Sequence, residues 1–173
     1  DYPFPTDKVV GGWDFVGFDY NGGANGLDPA PDPDPADDIL PGNLGHGTHV
    51  AGIAAGIETE KVPAGAAPGA NLVALKVFGS SGGTSIVLEA IEWAVNHNLY
   101  LADPESDQVP GARPDTKIDV INMSLGSPWG TGVKEYEEVV DSAIENGITI
   151  VASAGNNGPT PYVASSPGAT SKI

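Results

Sequence analysis

Gly45-His46-Gly47-Thr48-His49-Val50-Ala51-Gly52-Ile53-Ala54-Ala55-Gly56 opens polar around a histidine and then runs into small apolar residues. So little side-chain bulk predicts a helix packed closely against other backbone, deep in the fold. His46 then falls in the first turn, at the positive end of the helix dipole. A neutral imidazole there is what a general base needs near pH 7. From these residues alone, His46 reads equally as a general base or as a satisfied structural histidine.

Two further blocks change the balance. Ile121-Asn-Met-Ser-Leu-Gly126 and Ala152-Ser-Ala-Gly-Asn-Asn-Gly158 follow in order. Together with Asn43-Leu-Gly-His-Gly-Thr-His-Val-Ala-Gly52, they resemble the histidine, substrate-cleft and oxyanion motifs of the subtilisin-like serine proteases. The resemblance covers roughly residues 8 to 173 and is to a central piece of the catalytic domain. It implies a three-layer α/β fold with a mostly parallel sheet, here partial. It implies that His46 is the base and that the Asn156 amide serves a developing oxyanion, a charge larger in the tetrahedral state than in the substrate. Ser124, Leu125 and Gly126 would pair with extended substrate through backbone groups. Gly82 and Gly83 would form the opposite wall, and Ala154 and Gly155 would lie beside the oxyanion site. The substrate is then a polypeptide, the chemistry needs no cofactor, and the protein is extracellular. The tail Asn156–Lys172 resembles that of large secreted members, many of which carry a protease-associated insert shortly after this point.

Bulk properties agree. Seven basic against 23 acidic residues give a formal charge of −16, which argues against nucleic acid or an anionic membrane as partner. With no cysteine, disulfides, thiolate chemistry and Cys-type metal sites are excluded. Within these residues no apolar run approaches a membrane span and none has the pattern of a signal peptide; Asp1 starts in mid-pattern, as it would if a leader had been removed or left out. The 24 glycines and 16 prolines fit many tight turns.

Along the chain, Lys8–Val16 reads as a short strand. Residues 28–38, with five aspartates and four prolines, form a stiff extended loop that cannot be helical. A solvated acidic loop is the favoured reading over a calcium site, since the spacing is not that of an EF-hand. Asn71–Phe78, Ile118–Leu125 and Thr149–Ser153 read as strands of one parallel sheet. Helices are expected over Ser85–Asn96, with Leu88, Ile91, Ala94 and Val95 inward, and over Val133–Glu145, with Tyr136, Val139, Val140, Ala143 and Ile144 inward. Gly147 stands where a helix-ending glycine belongs. Residues 99–117 are polar and contain proline, and the resemblance implies a surface insertion there, because in the family this helix usually runs almost directly into the next strand; His97 reads as a surface residue. Residues 1–173 are expected to form one incomplete domain with no linker dividing it.

His46 and His49 stand three apart, whereas the zinc helix motif spaces its histidines by four with a glutamate between. No metal is expected at this pair; structural calcium elsewhere is left open. The family orders its triad Asp, His, Ser, and neither partner of His46 has its motif here. Asp1, Asp7 and Asp14 lack the Asp-Ser/Thr-Gly context. Gly83-Thr84-Ser85 precedes the oxyanion asparagine, and Gly168-Ala-Thr-Ser171 lies too close to it, so both serines are decoys. The Asp and Ser are therefore expected outside this chain, in the remainder of the protease domain, and this segment alone is expected to be inactive. The alternative is a non-catalytic pseudoprotease or peptide-binding module.

Overall fold

The structure, a computed structural model, describes residues 3–24, 26–37, 45–80, 83–111, 113–127, 134–159, 164–170 and 172–173. Two compact units emerge: Asp1–Ala90 with Val109–Asp115, and Ile91–Gln108 with Thr116–Ile173.

In the first unit, β1 (Val9–Asp14) pairs in parallel with β2 (Leu72–Lys76). Gly12 has to be glycine, because a Cβ there would collide with the Ala74 carbonyl. Between the strands comes α1 (His46–Ala55). The strand ends are locked by Asp14, which is 1% exposed. Its Oδ1 accepts the amides of Val16 and Gly17, each at 2.8 Å, and its Oδ2 accepts Lys76 Nζ at 2.8 Å. A buried carboxylate so fully partnered is costly to remove, because two backbone amides and an ammonium lose their acceptor together. Asp14→Ala is expected to lower stability by about 3–5 kcal/mol, read as a shifted urea midpoint. A shift below about 1 kcal/mol would mean the pair is solvated.

In the second unit, β3 (Val120–Met123) pairs in parallel with β4 (Thr149–Ala152), and α3 (Lys134–Glu145) joins them. Val140 and Ala143 are fully buried on α3. The helix ends as the glycine signal predicts: Gly147 has φ 81°, its amide donates to Ile144 O, and the Ile148 amide donates to Ala143 O. Those two bonds satisfy carbonyls the helix cannot.

Three expectations are corrected. The three predicted strands are parallel-paired, but among the described residues they lie in two two-stranded sheets, β1–β2 and β3–β4. Apolar runs encode the faces of a strand; its hydrogen-bonding edges are backbone and look alike in every sequence. Second, α1 is largely exposed, with only Ala55 buried and Ile53 at 61% exposure. Its small residues do admit close backbone contact, where Ala66 N and Ala67 N donate to Ile53 O and Ala54 O. Small side chains permit a close partner but do not supply one. Third, His97 is fully buried. The helix α2 (Val87–Ala102) runs past Asn96, so His97 falls on the same face as Trp93 and stacks on it at 5.5 Å. His97 Nε2–H donates to Thr116 O, and Asn98 exchanges two bonds with the Ile118 backbone. Of residues 99–117, the first four complete α2, while Val109 and Pro114 are buried.

Candidate active site

His46 is the first residue of α1 and is exposed. Among the described residues its imidazole makes no hydrogen bond or ion pair. The preceding Gly45 has φ 69° and offers no side-chain cap. The cap comes from elsewhere: Asp37 Oδ2 accepts both the Thr48 amide and the Thr48 hydroxyl, each at 2.9 Å. His49 is also exposed, its amide held by Gly45 O.

The exits of β3 and β4 are tied together. Ser153 N donates to Met123 O, and Ser153 Oγ to Leu125 O at 3.0 Å. Ser165, 2% exposed, donates from Oγ to Ser153 O at 2.9 Å and from its amide to Ala154 O. Ser127 and Ser166 exchange two backbone bonds. Ser124 Oγ accepts Asn122 Nδ2. Gly126 is backed by the chain itself: a Cβ there would stand 2.6 Å from Ser165 Oγ. Gly155 adopts φ 92°, a conformation in which only glycine is unstrained, and turns the chain out of β4. Asn156 follows, exposed, its amide without a partner among the described residues.

The structure thus brings Ser124, Leu125, Gly126, Ala154, Gly155 and Asn156 together on one unit. His46 and Gly83 belong to the other, and Gly82 lies outside the described residues. Gly83 lies against the Asn21 carbonyl, at 3.0 Å from where its Cβ would be. The decoy Ser85 shares a 2.9 Å hydrogen bond with Tyr20 Oη, not with a histidine; Ser171 lies outside the described residues. Sequence reasoning does not find Ser153, Ser165 and Asp37. Ser153 stands inside the third motif, which is a usable signal. Ser165 and Asp37 carry none, because their partners are distant in sequence.

A family model described as the subtilase family, Peptidase S8, matches residues 19–173. This chain belongs to the subtilase family. Subtilase relatives include subtilisin DY of Bacillus licheniformis, 38% identical over 154 residues, covering 87% of this chain and 42% of that protein. The major intracellular serine protease of Bacillus subtilis (strain 168) is 36% identical over 157 residues, covering 91% and 39%. Among solved structures, the S41 psychrophilic protease aligns with TM-score 0.51 and 36% identity over 71% of this chain and 36% of its own. This subtilase chain therefore spans about two fifths of the length of these relatives.

Proposed function

We propose that this chain is the central segment of a secreted serine endopeptidase that cleaves peptide bonds with an Asp-His-Ser triad, whose Asp and Ser lie outside these residues. The observation that carries the reading is the ordered trio of motifs around His46, Ser124–Gly126 and Asn156. In this reading His46 takes the proton of a serine hydroxyl as that oxygen attacks the scissile carbonyl, and returns it to the leaving amine. The Asn156 amide donates to the oxyanion, and backbone at 124–126 pairs with the substrate. No cofactor takes part. Extracellular placement follows the family resemblance, with the intracellular Bacillus relative as the counter-example.

The test is a purified 173-residue chain given a peptide substrate and a fluorophosphonate probe. Neither turnover nor labelling is expected, while the complete protease should label once, on a serine beyond Ile173. Labelling of Ser85 or Ser171 would show that a decoy is the true nucleophile. A complete protein that never labels is the pseudoprotease.

A further inference from the structure

We infer that Asp37 is a positioning residue for His46, so that the acidic proline-rich loop holds the histidine helix at its start. The inference rests on His46 being the base proposed above. Helix α1 begins with four amides that have no partner inside the helix. A serine, threonine or aspartate at the capping position would normally accept one of them. Here that position is Gly45, with left-handed backbone and no side chain to offer. Asp37 caps the helix from eleven residues away. Its Oδ2 takes the Thr48 amide, the one an ordinary cap would take, and the Thr48 hydroxyl as well.

The geometry around this contact is consistent. A Cβ on Gly47 would stand 3.5 Å from Asp37 Oδ2, so the carboxylate lies close over the first turn. Its charge is of the sign that the positive end of a helix favours. The described part of the loop that delivers it, residues 28–37, carries its own hydrogen bonds. Asp32 and Asp14 exchange two backbone bonds. Asp32 Oδ1 accepts the Asp34 amide and Asp34 Oδ1 accepts the Ala36 amide. Prolines at 31, 33 and 35 restrict the remaining dihedrals. Asp32 is thus tied to the end of β1 and Asp37 to the first turn of α1. His46, two residues before Thr48, takes its backbone position from those ties. A base must stand within hydrogen-bond reach of its proton, and small displacements of such a group are expensive in rate.

The experiment compares Asp37→Ala and Asp37→Asn. Asparagine presents an oxygen in the same place without the charge, so it should rescue most of what alanine loses. In the 173-residue chain, amide hydrogen exchange at Thr48 should quicken about fivefold or more in D37A, with the Ala54 and Ala55 amides unchanged. In the complete protease, kcat per fluorophosphonate-titrated site should fall about tenfold or more in D37A with KM within about twofold, and D37N should recover most of it. Unchanged exchange at Thr48 overturns the cap. Faster exchange with kcat preserved shows a structural cap only and overturns the positioning role. H46A is measured alongside. If H46A is dead and D37A is normal, this inference alone fails. If H46A turns over normally, the proposed function fails and takes this inference with it.

Discussion

Replacing His46 by alanine in the complete protease is expected to lower kcat by about 10⁶; that is the loss seen when the histidine of subtilisin, itself a subtilase, is removed, and the magnitude is carried over from it. A serine hydroxyl is a poor nucleophile at neutral pH unless a base takes its proton as it attacks. The same imidazole must then protonate the leaving amine, so both halves of the reaction lose their proton carrier. The structure allows the loss to be read cleanly. His46 is exposed and its imidazole makes no hydrogen bond among the described residues. Truncating it removes no hydrogen bond or ion pair seen among the described residues, so the stability of the 173-residue chain should change by less than about 0.5 kcal/mol. The measurement is kcat and KM of the complete protease on a peptide substrate, with a thermal melt of the 173-residue chain carrying the same substitution. Unchanged melting with turnover abolished is the expected pair of results. Turnover within about tenfold of the original would remove His46 from the chemistry and return it to a structural role.

Replacing Asn156 by alanine should lower kcat by about 10²–10³, or about 2.7–4 kcal/mol of barrier, which is the value known for the oxyanion asparagine of subtilisin itself. The amide meets its full partner only when negative charge develops on the carbonyl oxygen, so KM should move little. Gly155 at φ 92° turns the chain so that Asn156 leaves the strand exposed, as a donor awaiting a ligand would be. Asn156→Asp should be at least as damaging, since it sets an acceptor and a charge against the oxyanion. A rise in KM at constant kcat would instead make Asn156 a ground-state binding residue. Both variants keep Ser153, whose bonds to Met123 and Leu125 hold this turn, so the loss would belong to the amide.

The candidate groups of the site are proposed from the order of the amino acids. His46, Asn156 and the 124–126 segment sit in compact motifs, where neighbours in sequence are also neighbours in space. Local structure is legible for the same reason. Gly147 closes α3 through bonds to residues three and five positions back, which the chain cannot avoid forming once the helix ends there. The parallel pairings follow from strand–helix alternation. His97 departs from its expected surface position because α2 continues beyond Asn96. The 3.6-residue period carried on from Trp93 turns it inward.

Other features depend on contacts that no local pattern encodes. Asp14 with Lys76 and Asp37 with Thr48 join residues 62 and 11 positions apart. Ser165 fills the space behind Gly126 from 39 residues away. In the sequence the acidic loop is a run of charge with no stated target; in the fold one of its carboxylates is a helix cap. By itself the sequence determined the family motifs, which segments are helix or strand, and the parallel sense of the strands, because these follow from side-chain type and short-range geometry. Only the tertiary structure decided which strand edges pair, which carboxylate caps α1 and how far α1 is buried. Strand edges and helix ends are backbone, the same in every residue, and their partners are chosen by the whole chain's path.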